Sequence, residues 1–128
     1  MKKTVFTIVI VTIMIMLCGC ARTKIDKNSD VKLTFIYEDQ NLNATLDDSD
    51  AKKIISILDG NRYTGATACY FDENISFNID DEIFAVACDG CRVIKDISNQ
   101  KYFWVSDSDM KYIRSVFEKH GGHFTWLE

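Results

Sequence analysis

The sequence predicts an α+β fold: a two-layer sandwich in which a mainly antiparallel sheet of about five to seven strands carries two helices on one face. Three observations predict it. Short apolar–polar alternations, the mark of half-buried strands, recur from Val31 onward. Two segments instead space their apolar residues as one face of a helix. The strands are separated by turns too short for crossovers, so neighbouring strands run antiparallel. Two amphipathic helices then need an apolar surface, which one sheet face provides.

Val31, Leu33, Phe35 and Tyr37 alternate with Lys32, Thr34 and Glu38 as a first strand. Asp39-Gln40-Asn41 reads as a turn, and Leu42 to Leu46 as the returning strand. Asp47, Asp48 and Ser49 offer N-cap oxygens and early negative charge. Ala51, Ile54, Ile55 and Leu58 then share one face, and Gly60 is a natural stop, so the first helix covers 48–59. Residues 62–68 read as loop. Short strands follow at 68–72, 75–80, 82–88 and 91–97, separated by Asp72-Glu73-Asn74, Asp80-Asp81 and Asp89-Gly90. Asp-Gly between apolar runs is a strong hairpin signal. Lys101 to Val105 is a further strand. Ser106-Asp107-Ser108-Asp109 resembles a capping box for the second helix, whose inner face is Met110, Ile113 and Phe117. Gly121-Gly122 ends it, leaving His123 to Glu128 as a short tail. The predicted order is β-β-α-β-β-β-β-β-α, without internal repeats.

The chain has 128 residues, enough for one domain. It is 47% hydrophobic and 27% charged, which argues against disorder, and it has no proline, which excludes Pro-rich linkers and collagen-like repeats. The formal charge of −4 gives no basic footprint, so no nucleic-acid partner is expected.

The N-terminus reads as an export signal. Lys2 and Lys3 precede an apolar run from Val5 to Leu17, interrupted only by Thr7 and Thr12. As a helix this run reaches about 20 Å, too short for a hydrocarbon core of about 30 Å, and suited to a signal peptide. Leu17-Cys18-Gly19-Cys20 then resembles the lipobox of bacterial lipoproteins, with Cys18 where alanine or serine is commoner. The resemblance implies cleavage after Gly19, lipidation of Cys20 and anchoring to the extracytoplasmic face of the cell membrane. It covers the signal alone. The expected organisation is signal peptide 1–19, lipidated cysteine and flexible tether 20–30, and a single α+β domain 31–128. Loss of Lys2 and Lys3 leaves 13 basic against 19 acidic residues, a charge of −6. Anionic headgroups repel such a domain, so the lipid does the anchoring.

Cys69, Cys88 and Cys91 remain beside Cys20. If Asp89-Gly90 is a two-residue turn, Cys88 and Cys91 oppose each other at about 5.5 Å between Cα atoms, within disulfide range. The expectation is a labile 88–91 disulfide, or two thiols in contact, with Cys69 unpaired. Buried inert thiols are a second reading. A metal site of Cys69, Cys88 and Cys91 with His120 or His123 is a third, lacking the second paired motif of strong zinc patterns. Redox catalysis is the fourth. It lacks the helix N-terminus that activates such cysteines, and this chain has no proline to supply the cis-proline of the thioredoxin family. The two histidines read as a solvated C-terminal end. The acidic clusters read as caps and turns, because none keeps EF-hand spacing.

Adjacent strand aromatics cannot all point inward. Tyr70, Tyr102 and Trp104, with Trp126 near in sequence, are therefore the candidate binding surface. A covering tail is the alternative explanation for that outer face. Two functions follow from different classes. One is a non-enzymatic, lipid-anchored domain that binds a protein, peptide or envelope ligand, as immunity or inhibitor lipoproteins do, with no cofactor. The other is a thiol-redox or metal-handling lipoprotein using Cys69, Cys88 and Cys91.

Overall fold

Alternation and capping build eight elements among the described residues. The computed structural model describes residues 24–60, 62–65 and 67–125. The expected signal peptide 1–19, Cys20 and Trp126 lie outside the described residues. The elements are β1 (Lys32–Tyr37), β2 (Gln40–Thr45), α1 (Asp48–Leu58), β3 (Phe71–Ile79), β4 (Glu82–Ala87), β5 (Val93–Asp96), β6 (Lys101–Trp104) and α2 (Asp107–Lys119). The strands form one sheet in the order β2-β1-β3-β4-β5-β6, antiparallel at every pairing. This is the predicted α+β arrangement, with both helices on one face.

The helix-side face is built by every second strand residue. Leu33 and Phe35 in β1 pair with Phe77 and Ile75 in β3; Phe77 pairs with Phe84 in β4; Val86 pairs with Ile94 in β5; and Ile94 pairs with Phe103 in β6. All eight are buried against Ile54, Ile55 and Leu58 of α1 and Met110, Ile113 and Phe117 of α2. Both predicted caps form. The Asp47 side chain accepts from the Asp50 N–H at 2.9 Å, and Ser106 Oγ accepts from the Asp109 N–H at 3.1 Å. A polar seam ties the helices together. Lys119 donates to Asp47 and Asp50 at 2.8 and 2.6 Å, and the Tyr112 hydroxyl donates to Asp50 at 2.6 Å. Burial first, then the Asp50 carboxylate, pushes the Tyr112 phenol up to about 12. The acidic residues at the start of α1, Asp47 and Asp50, thus act as cap and ion-pair partners.

Four expectations are corrected. The two strands expected at 68–72 and 75–80 are one strand, β3, with an irregularity between Phe71 and Ser76. Asp72-Glu73-Asn74 is a bulge rather than a hairpin. Asp72 Oδ1 accepts from the Asn74 N–H and Ser76 Oγ donates to the Glu73 carbonyl, so local side chains satisfy what the ladder leaves open. Among the described residues the sheet accordingly has six strands, within the expected five to seven, where the predicted element order had seven.

Asp89-Gly90 is not a two-residue turn. The pairs Phe84↔Asp96, Ala85↔Lys95 and Val86↔Ile94, continued forward, set Cys88 opposite Arg92 and Asp89 opposite Cys91, with Gly90 at the tip at φ 82°. A slip of one residue exchanges sheet faces, so Cys88 and Cys91 do not share one.

The expected tether is partly docked. Ile25, in a segment with no hydrophobic period, is buried in the core, and the Ser29 hydroxyl donates to Asp80. Finally, the C-terminal tail folds under. Phe124 packs its ring edge-on against Phe35 and Phe117, with centroids 5.3 and 5.5 Å apart. Gly122 permits this, since a Cβ there would lie 3.1 Å from the Phe35 ring.

Candidate functional site

The opposite sheet face is covered by different means. After α1 the chain passes to the free edge of β6. There Tyr63 exchanges two backbone hydrogen bonds with Tyr102, of 2.8 and 2.9 Å. Pairing places the Tyr63 and Tyr102 side chains on one face, and alternation sends Arg62 to the other. Arg62 Nη1 lies 3.5 Å from Oδ2 of the fully buried Asp96, with its guanidinium over the Phe84 and Phe103 rings. The Asn99 backbone N–H also donates to Asp96, at 3.0 Å. The chain then reaches Cys69, which is disulfide-bonded to Cys91 with Cα atoms 6.1 Å apart, and enters β3. Residues 62–65 and 67–70 therefore form a strap fixed at three points: the Arg62–Asp96 ion pair, the Tyr63–Tyr102 bridge and the Cys69–Cys91 bond.

Under the strap the outer face is aromatic. Phe103 points into the core, so its neighbours Tyr102 and Trp104 point out. The Tyr63 ring lies 6.0 Å from Tyr102 and stacks on Trp104 at 6.4 Å, 11° from parallel. Phe71 adds an edge 5.8 Å from Tyr102, and Lys95 Nζ sits 5.8 Å from the same ring. Trp104 nevertheless remains 63% exposed. The Tyr63 hydroxyl is buried and has no hydrogen-bond partner among the described residues. Burial first, then Tyr102, raises its pKa.

The predicted surface residues divide. Tyr102 and Trp104 belong to this patch. Tyr70, 65% exposed, belongs to the other face, where it shares a cavity with Cys88. The sequence reading missed Tyr63 and Phe71 as patch members. No local pattern in 62–68 marks a residue that pairs with a strand 39 positions later. As far as residue 125 the tail lies on the helix side, through Phe124, and does not cover the patch.

The cysteine pairing also differs from expectation. Cys69 joins Cys91, and Cys88 stays outside the bond, because the β4–β5 register turns Cys88 toward the helix side. The Cys88 backbone N–H donates to the Tyr70 carbonyl at 2.9 Å, so it pairs with the end of the strap rather than across its own hairpin. Its thiol contacts the Val86 carbonyl at 3.5 Å, and burial, above all other causes, pushes its pKa up to about 11. The expected metal trio is likewise not assembled. The ligand atoms that cluster within 4.8 Å of one another are those of Cys69, Asp89 and Cys91, without Cys88. With the disulfide formed, that group offers a single carboxylate, since thiolates rather than disulfide sulfurs ligate metals. His120 caps α2 through its backbone, and the His123 N–H donates to Gln40 Oε1 at 2.9 Å.

A cavity of about 250 Å³ opens on the helix side, lined by Tyr37, Tyr70, Asp72, Ile75 and Cys88. No helix among the described residues is long and apolar enough to cross a membrane. Comparison with family models, curated proteins and solved structures finds no match to this chain.

Proposed function

We propose that this chain is a lipid-anchored, extracytoplasmic, non-enzymatic binding domain whose patch of Tyr63, Tyr102 and Trp104 docks a protein partner. The observation that carries the reading is Trp104, largely exposed yet stacked on Tyr63. Tryptophan and tyrosine are enriched among residues that dominate binding energy. An aromatic already held in place loses little freedom on binding, which favours affinity. The strap supplies that holding by fixing Tyr63 to the backbone of β6. The anchor rests on Leu17-Cys18-Gly19-Cys20 after its apolar run.

Two measurements test the two halves. Intact-mass analysis of the membrane-extracted chain should show cleavage before Cys20 with a diacylglyceryl increment, and Cys20→Ala should accumulate as precursor. A processed chain without the increment overturns the anchor. For docking, a photo-crosslinker at Lys95 of the full chain in its native cells should give a discrete adduct that Trp104→Ala abolishes. An adduct that survives Trp104→Ala overturns the assignment of the patch.

A further inference from the structure

We propose that the helix-side cavity lined by Tyr37, Tyr70, Asp72, Ile75 and Cys88 binds an alkylammonium group. This site lies on the other face of the sheet from the aromatic patch and does not depend on it.

Size comes first. At about 250 Å³ the cavity falls below the roughly 300–1,000 Å³ of sites for drug-sized ligands, so its guest is a small amine or one long side chain. Its walls suit an aliphatic stem: Ile75 is buried, and the un-ionised Cys88 thiol behaves as a small apolar group at neutral pH. Two tyrosines line the cavity, and aromatic ring faces attract ammonium groups held over them.

Charge selects the headgroup. Asp72 lines the cavity. Its Oδ1 accepts from the Asn74 N–H, which fixes the carboxylate, and none of the ion pairs among the described residues uses it. Glu38 lies beside Tyr37. Asp89 Oδ2 accepts from the Tyr70 N–H at 2.8 Å. Asp72 is therefore the carboxylate that lines the cavity, and no lysine or arginine is among the described lining residues. Anions are repelled, and a neutral guest gains no charge attraction from Asp72. The Cys69–Cys91 bond sits one residue before Tyr70 and so holds that wall in place.

The test uses isotope-labelled full-length chain in detergent, following the amide signals of Tyr70, Asp72 and Cys88 by NMR. Butylammonium chloride is compared with its near-isostere butanol. Saturable shifts with butylammonium, at least tenfold tighter than with butanol, are expected. Asp72→Asn preserves the acceptor for Asn74 and should bring the two probes within threefold of each other. Equal binding of both probes to the unmodified chain, or no saturable shift with butylammonium, overturns the proposal. So does an unchanged preference in Asp72→Asn. A pair of larger probes then separates the sources of the ammonium, each result supporting the site. Tighter binding of 1,5-diaminopentane points to free amines, and tighter binding of N-acetyl-lysine amide points to a lysine side chain of a partner.

Discussion

The two faces of this sheet are covered by opposite strategies. On the helix side two capped helices bury a continuous run of apolar side chains from Leu33 to Phe117, and stability is spread over many contacts. On the outer side a short strap does the covering, and it is held at three named points. On the first face a change in volume is costly. The second depends on discrete attachments, and between them it leaves Trp104 in solvent. The two faces thus differ in how they are covered: one by a packed core, the other by a few discrete attachments that leave an aromatic exposed.

The sharpest way to break this division is in the core. Phe117 is fully buried and touches Phe35, Phe77 and Phe124. Phe117→Ala should cost about 4 kcal/mol, read by urea unfolding. A loss under 1 kcal/mol would mean that the helix-side core is not the principal source of stability.

The strap comes next. Cys69 and Cys91 are separated by 22 residues, so breaking their bond should cost about 3 kcal/mol on the chain-entropy account. An 88–91 bond would have closed a very short loop and contributed little. Non-reducing peptide mapping should return the 69–91 linkage, and the unfolding midpoint should fall when reductant is added.

A third experiment uses pH. The Cys88 thiol holds its proton up to about 11 when folded, against an ordinary value of 9.0. The folded state therefore binds the proton more tightly. The associated stability is fully present below about pH 9 and is lost as pH rises toward 11, by on the order of 2 kcal/mol. Cys88→Ala should flatten that part of the alkaline limb relative to the unmodified chain. Parallel limbs would mean the thiol is not shielded.

The smallest stability effect is expected where the proposed binding effect is largest. Trp104→Ala removes an exposed ring and should shift stability by no more than about 0.5 kcal/mol, while abolishing the crosslinked adduct. A loss of 2 kcal/mol would place Trp104 among the strap's structural attachments instead.

The helices were legible because their signals are local. Asp47 and Ser106 sit where caps are needed, and the apolar spacing of both segments fixes their inner faces. The alternation in 31–37 and 101–105 likewise declared which residues face in. What escaped was set by partners far away in sequence. The β4–β5 register differs by one residue from the turn that Asp89-Gly90 suggested, and that one residue re-pairs the cysteines. Arg62 meets Asp96 across 34 positions, a contact no window of sequence contains. Ile25 and Phe124 are single apolar residues in polar surroundings, and only the finished core shows where they belong. The candidate site was half legible for the same reason. Tyr102 and Trp104 follow from strand period, whereas Tyr63 follows from an edge pairing.

The docking of Ile25 sets a leash. With the lipid on Cys20, as proposed, five residue steps separate the anchor from Ile25, the first buried side chain among the described residues, a reach of at most about 18 Å when fully extended. A free tether through Asp30 would have allowed about twice that. A chain segment of about 100 residues folds to a radius of gyration near 13 Å, so the leash is shorter than the domain is wide. On that proposal rotation about the anchor would be restricted, and the pole around Ile25 would be kept close to the lipid headgroups. A partner on another cell or in the medium would have to approach from the sides or from the far pole. A partner embedded in the same membrane would need a recognition surface reaching only a few nanometres above it.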